Sequence, residues 1–406
     1  MPEHSQEQTK EPMNDTPAQQ PADAQQAARA EYAYKSKIGG QALVEGIMMK
    51  GAFRGAMACR LPNGEIDLET WEIPVKLQTD PKTGKVRPVL PWYRRIPLVR
   101  GSVNFVTQMI DGYRCMMRSA EKQVDEELDA FVIWKKKQKL DKLPQEEQLA
   151  RFDAWMRSQE KPLEGDKLKE RWEYYQKATQ YYEAEEPSKF EKWLDEKLGE
   201  RIFDILMVIV MIFSVVLSLG LFMYLPKLVV GWITPLTENR VIRSAAEGIM
   251  KMLIFVGYMA VTGCMKSIRR TYEYHGAEHK TIACLEAALP LTVENIRKQK
   301  RFHPRCGTSF IFLVLLISIF VGCLIPFTVV WQRVLCSIAL LPLVVGISYE
   351  LIRLAGRADN AFTRILSAPG LWIQRITTKE PDDKQIECAI AAITPCIPEN
   401  IEDDLW

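Results

Sequence analysis

The apolar run ILMVIVMIFSVVLSLGLFMYL at positions 205–225 decides the fold class of this chain. A helix rises about 1.5 Å per residue, so about 20 apolar residues cross a hydrocarbon core of about 30 Å. This run reaches that length and carries no charged side chain. The sequence therefore predicts a transmembrane helix from Ile205 to Leu225.

Three further apolar runs follow along the chain. Phe310–Trp331 is long enough to span by itself, and we expect Pro326 within it to act as a kink. Met252–Met265 and Val334–Tyr349 are shorter and reach spanning length only with their flanking residues. We therefore predict an α-helical membrane protein with about four transmembrane helices, in a domain at 201–365.

The segment between the second and third predicted spans, Lys266–Arg305, is densely basic. Because basic residues next to spans stay in the cytoplasm, this segment is expected on the cytoplasmic side. Four crossings place both termini on that same side, and the arginines that follow the last span agree. The predicted location is the cell membrane, with several passes, cytoplasmic termini and the lipid bilayer as a partner.

The bulk composition excludes other classes of protein. A formal net charge of +2 over 406 residues gives no reason to expect a nucleic-acid partner. Nine cysteines, an odd number without paired spacing, argue against a secreted disulfide framework. A reducing compartment fits better.

The chain is predicted to divide into five segments. These are a disordered tail at 1–37, a β-rich N-terminal cytoplasmic module with an amphipathic helix at 38–119, a charged helical insertion at 120–200, the transmembrane domain at 201–365 with a metal-site loop at 266–309, and a cytoplasmic tail at 366–406. The amphipathic helix carries apolar residues at helical spacing from Val99 to Met117. We expect it to pack on the module rather than lie at the membrane surface. The insertion is the candidate surface for a protein partner.

Three of the four histidines fall inside the basic segment, and two of them form a motif with a glutamate. His275 and His279 are four residues apart, so a helix places both imidazoles on one face with Glu278 beside them. This order matches H-x-x-E-H, in which two histidines hold Zn²⁺ and the glutamate accepts a proton from the attacking water. The pattern predicts metal ligands at His275 and His279 and a catalytic base at Glu278.

A second element, HPRCGTSF at 303–310, adds an imidazole and a thiol. His303 and Cys306 are candidate ligands, and Arg305 next to the thiol favours its ionised form. Four ligands would close a structural site, whereas three would leave a position open for catalysis. Two alternatives stay open: a polar loop without metal in which Cys306 caps a helix, and a nucleophilic pair of Cys306 with His303.

Two carboxylates are candidates for supporting the metal ligands from nearby, as is Arg305. Glu45 stands among apolar residues, so it is either a functional group or an edge carboxylate bonded to backbone. Glu350 lies at membrane depth, where ionisable residues are functional candidates. The simpler interpretation of Glu350 is an interaction with Arg353 at the cytoplasmic end of the last span.

Several motifs together resemble one known family: GGQA at 39–42, EGIMM at 45–49, HGAEHK at 275–280 and HPRCGTSF at 303–310. The chain resembles the YqhQ-like family of bacterial multi-spanning membrane proteins, a domain of unknown function labelled as predicted metal-dependent enzymes. The resemblance implies a bacterial cytoplasmic membrane and a metal-dependent activity without a substrate. The charged stretch Glu121–Glu200 departs from the family pattern, which affects the expected partners more than the chemistry.

The leading hypothesis is a zinc hydrolase that acts on a peptide or lipid-linked substrate at the cytoplasmic membrane surface. The rival is a membrane scaffold or assembly factor in which a structural metal site holds the basic segment. A transporter is disfavoured because the chain shows neither clear internal repeats nor several charged spans.

Overall fold

The computed structural model describes residues 34–399, apart from 80–85, 90, 125, 141–142, 160–164, 180–207, 234–238, 328 and 358–359. Most of the described residues are helical, and two small antiparallel sheets lie near the N-terminus. The predicted tail falls almost wholly outside these residues, as do the end of the insertion and the acidic C-terminus.

The larger sheet has four strands in the order β1-β2-β3-β4, as expected for a β-rich module. Their bounds are β1 Gly39–Leu43, β2 Gly46–Lys50, β3 Arg54–Arg60 and β4 Ile66–Glu72; a separate hairpin pairs β5 Lys76–Thr79 with β6 Val86–Val89. The turn Pro62-Asn63-Gly64 joins β3 to β4, with Gly64 at a φ of 86°. Because glycine adopts positive φ without strain, Gly64 suits this turn.

Thirteen α-helices are named here in chain order. They are α1 Val99–Glu121, α2 Glu126–Gln138, α3 Gln145–Ser158, α4 Asp166–Ala178, α5 Val208–Phe222, α6 Leu225–Ile233, α7 Arg240–Thr262, α8 Lys266–Glu286, α9 Val293–Arg297, α10 Gly307–Leu324, α11 Val330–Arg357, α12 Ala361–Thr377 and α13 Asp383–Ile393.

Among the described residues, three helices are long and apolar enough to cross a membrane: Val241–Thr262 in α7, Gly307–Leu324 in α10 and Trp331–Ala355 in α11. Helix α5 is apolar, but its described part is shorter than a span, and the beginning of the predicted first span lies outside the described residues. The span predicted at Phe310–Trp331 is wrong in its second half. Helix α10 ends at Leu324, so Pro326 lies in the connection to α11 rather than at a kink.

The basic segment between α7 and α10 was expected to be a loop with the histidine motif on a helix; the helix is confirmed, but it is much longer than the motif, and the segment as a whole is not a loop. It forms the long helix α8 and the short helix α9. Helix α8 packs between strand β1 and helix α13 in an apolar core that includes Tyr274, Ala277 and Ile282. Helix α13, from the segment expected to be a tail, contributes Ile386 and Ala389 to the same core.

The insertion forms three described helices, α2 to α4, around an aromatic core of its own. Its most deeply buried rings are Phe131, Phe152, Trp172 and Tyr175. Phe131 stacks on Tyr175 with ring centroids 4.6 Å apart. The charged surface of this segment therefore covers a packed interior.

Helix α1 forms where the periodicity predicts it, but its apolar stripe does not pack on the module. Val106, Met109, Ile110 and Tyr113 are exposed. The buried positions of α1 are small residues, namely Gly101, Gly112 and Ser119. The helix packs on the sheet through this face and through the partly buried Cys115 and Met116, so the expected contact with the module is found but the exposed stripe does not make it.

Candidate metal centre

Helix α8 places the residues of the histidine motif on one face. His275 and His279 lie one turn apart, with ring centroids separated by 4.4 Å. The backbone at Gly276 passes so close to the segment after α12 that a Cβ there would lie 1.9 Å from the Lys379 carbonyl oxygen. The glycine between the two functional residues therefore allows the segment after α12 to approach α8.

Backbone carbonyls fix the orientation of both imidazoles. His275 Nδ1 lies 2.9 Å from the Thr377 carbonyl oxygen, and His279 Nδ1 lies 2.6 Å from that of Arg301. Because a carbonyl oxygen only accepts, each Nδ1 carries the hydrogen and donates it. Each Nε2 is then the nitrogen that can offer a lone pair to a metal ion, and the Nδ1 hydrogen bond is the usual support of a metal-binding histidine.

Cys306 completes a set of three donor atoms. His275 Nε2, His279 Nε2 and Cys306 Sγ all lie within 4.8 Å of one another. The Sγ atom is 3.1 Å from His275 Nε2. Among the described residues, His279 Nε2 is buried without a hydrogen-bond partner. A buried polar atom of this kind is costly, and a metal ion held by two imidazoles and one thiolate would satisfy it.

The charge state of the thiol also fits metal binding. Burial raises the pKa of Cys306, but the neighbouring His275 and His279 outweigh it and hold that pKa well below its usual value. Burial lowers the pKa of His275, but Cys306 outweighs this and raises it to about 9. The expected source of the effect, Arg305, instead pairs with Glu286. Since a metal ion binds thiolate and neutral imidazole, it would replace the proton that this pair shares.

Glu278 lies beside the donor set and is almost fully buried, with 4% of its surface exposed. Burial raises the pKa of its carboxyl group, which accepts a hydrogen bond from the Gly40 backbone. Its Oε2 atom has no hydrogen-bond partner among the described residues. A Cβ on Gly40 would lie 3.0 Å from the Glu278 Cδ atom and 2.6 Å from the Met48 carbonyl oxygen. The GGQA motif therefore lets strand β1 cover the carboxylate.

His303 lies next to the donor set but is not part of it. Its ring is 5.6 Å from that of His279, and its Nε2 lies 3.1 Å from a guanidinium nitrogen of Arg305. The Gln374 side chain bonds the His303 backbone on both sides, at 2.8 Å to its nitrogen and 2.7 Å to its oxygen. Burial lowers the pKa of the imidazole. This arrangement anchors the HPRC segment and directs the imidazole Nε2 toward Arg305.

The two other candidate carboxylates occupy different places. Glu45 lies in the β1–β2 turn and pairs with Arg270, at 2.7 Å between Oε2 and a guanidinium nitrogen, and with Tyr274 at 3.2 Å. It therefore fastens the sheet to α8 one turn before His275. Glu350 pairs with Arg100, at 2.6 Å to Nε, so its main partner lies on α1 instead of being Arg353. This pair joins α1 to α11 and contributes no atom to the donor set.

The sequence did not reveal the neighbouring groups that orient the three histidines by hydrogen bonds. The carbonyls of Thr377 and Arg301 leave no sequence signal because every residue has one. Gln374 is recognisable only as a polar side chain in an apolar helix.

A cavity of about 420 Å³, lined by Gly263, Cys264, Arg269 and Lys379, lies at the beginning of α8.

These features define a class: a helical protein with candidate membrane spans and a largely buried His-His-Cys donor set, whose cysteine lies just before one of those spans. The family profile described as "Protein of unknown function (DUF1385)" matches residues 96–399, so the chain belongs to that family. It is also similar to "Uncharacterized protein YqhQ" of Bacillus subtilis (strain 168), with 29% identity over 353 residues, 87% of this chain and 89% of the relative. No solved structure matches. The YqhQ-like resemblance is thereby confirmed.

Proposed function

We propose that this protein is a membrane-embedded, metal-dependent hydrolase of the zinc type. The observation that carries the proposal is the donor set of His275, His279 and Cys306 with the buried carboxylate of Glu278 next to it. Three protein ligands are the number found in catalytic zinc sites, where the fourth position serves the reaction. Two imidazoles and a thiolate also suit zinc better than magnesium or calcium.

The residues of the chain have separate roles in this proposal. A bound zinc ion would act as a Lewis acid, polarising the substrate and acidifying a water molecule. Glu278 accepts the proton of the attacking water and passes it to the leaving group, which its raised pKa favours. Strand β1 covers the carboxylate at Gly40 and excludes bulk water from it.

The proposed location is the cytoplasmic surface of the membrane. Cys306 immediately precedes α10, and α8 follows α7 after a short connection, so both elements of the site adjoin candidate spans. With α5 as a fourth crossing, both termini would be cytoplasmic, in keeping with the basic segment. The substrate class that fits this position is a peptide or lipid-linked molecule with its cleavable bond near the headgroups. The helices of the insertion are a proposed surface for a protein partner.

Metal dependence is the first test of the hydrolase. We expect the full-length protein in nanodiscs to cleave at least one member of a panel of peptide and lipid-linked ester substrates. Chelation should abolish this cleavage and zinc should restore it, because His275, His279 and Cys306 rebind the ion. Product release is measured before chelation, after it and after zinc addition. Turnover that is indifferent to chelation, or no turnover across the panel with zinc present, would contradict the proposal.

A further inference from the structure

Helix α1 exposes a continuous apolar stripe. Trp92 and Ile96 precede the helix and are exposed like the stripe, whose members on the helix lie mostly three, four or seven residues apart. Its exposed members are Trp92, Ile96, Val99, Val106, Met109, Ile110, Tyr113 and Met117. Val106 and Tyr113 are 54% and 67% exposed. A stripe of this extent on a soluble surface would favour aggregation, so it needs an apolar partner.

The opposite face of α1 packs directly against the candidate span in α11. A Cβ on Gly101 would lie 2.6 Å from the Tyr349 Cβ, and one on Gly346 would lie 2.6 Å from the Leu98 carbonyl oxygen. The Ser102 hydroxyl donates a 2.8 Å hydrogen bond to the Pro342 carbonyl. Small residues at the crossing let two helices approach closely, as is common within membranes.

The polar side chains at this crossing are paired. Arg100 forms two hydrogen bonds to the Glu350 carboxylate, and the Asn104 amide donates to the Tyr349 hydroxyl at 2.9 Å. An amide or hydroxyl left unpaired in hydrocarbon is strongly destabilising. This pairing therefore suits a helix that lies alongside a span at membrane depth.

The contacts also define the side of the membrane on which α1 lies. The rings of Phe105 and Phe310 are 5.6 Å apart, and Phe310 is in the first turn of α10, just after Cys306. Farther along α1, Gly112 contacts Gln41 of strand β1. The helix thus connects the spans to the sheet that covers Glu278, on the same side as the donor set.

We propose that α1 is embedded in the bilayer leaflet on the metal-centre side, with its exposed stripe as far as Tyr113 against lipid acyl chains. The occupant is lipid because the stripe adjoins spans whose own exposed surface is apolar, as at Phe320 and Leu253. Arg94 and Arg95 lie between Trp92 and Ile96, and their long side chains can extend to the headgroups. The helix anchors the sheet at the membrane surface independently of any metal.

The test uses a photo-crosslinking amino acid, p-benzoylphenylalanine, in the full-length protein in phospholipid nanodiscs. It replaces Val106 or Tyr113 in two variants, Phe320 of α10 as the lipid-exposed reference, and Lys167 of the insertion as the solvent-exposed control. All four positions are exposed, so the substitutions leave the fold intact, which is checked by size-exclusion chromatography.

We expect mass spectrometry after illumination to find phospholipid adducts at Val106 and Tyr113, as at Phe320. No phospholipid adduct is expected at Lys167. Absence of the lipid adduct at both α1 positions while Phe320 gives it would overturn the proposal. Crosslinks from α1 to a second copy of the chain in place of lipid would also overturn it, because the stripe would then be a protein interface.

Discussion

Replacing Cys306 with serine is expected to lower the zinc affinity of the protein by roughly 100-fold or more. The thiol of Cys306 ionises readily because its pKa lies well below the usual value, whereas a serine hydroxyl stays protonated near neutral pH. The substitution removes one of three donor atoms and changes little else in volume. Zinc affinity is measured by competition with a chromophoric chelator.

Cys284→Ser is the matched control, since this cysteine is equally buried but lies outside the donor set. The same titration compares Cys306 with His303. Because His303 Nε2 faces Arg305, we expect His303→Gln to weaken zinc binding less than Cys306→Ser does. Affinities of wild type and Cys306→Ser that agree within error would remove the thiolate from the ligand set.

Replacing Glu278 with glutamine is expected to reduce hydrolysis by about 10²- to 10⁴-fold while zinc content stays unchanged. The carboxamide keeps the shape of the side chain and can still accept the hydrogen bond from Gly40, but it cannot accept a proton. Hydrolysis is measured with the substrate found in the panel, and zinc is measured on the same samples.

This experiment also separates the enzyme from the scaffold. A scaffold with a structural metal site needs the ligands but not the base, so it should tolerate Glu278→Gln and fail with His275→Ala. Glu273→Gln, on the same helix and outside the donor set, serves as the control. A Glu278→Gln protein with full activity would reject the catalytic base.

The sequence was informative where a local pattern has a single physical meaning. Long apolar runs predicted membrane helices, and the H-x-x-E-H spacing brought His275 and His279 together because α8 is a regular helix. The proximity of Cys306 to both imidazoles follows from the packing of α10 against α12, whose last residue, Thr377, accepts a hydrogen bond from His275 on α8; no local pattern contains this arrangement. Only the clustering of these residue types in one segment suggested it.

Other features could not be predicted because the same sequence pattern is compatible with two different structures. The apolar spacing of α1 suits a soluble core and a lipid surface equally well, so Tyr113 was expected to be buried and is exposed. The segment at 266–305 was expected to be a loop because it joins two predicted spans, yet it forms α8 and α9, and one face of α8 packs in the core. The α13 residues Ile386 and Ala389 were read as part of a tail because their partners are distant in sequence.

The coordination of zinc in the wild-type protein tests the central claim most directly. Full-length protein, purified without chelators from zinc-supplemented cells, is analysed for metal content and by X-ray absorption at the zinc edge. The donor set of His275, His279 and Cys306 predicts about one zinc per chain, bound by imidazole nitrogen and by one sulfur at about 2.3 Å. A metal-free chain, or zinc without a sulfur ligand, would contradict the proposed centre.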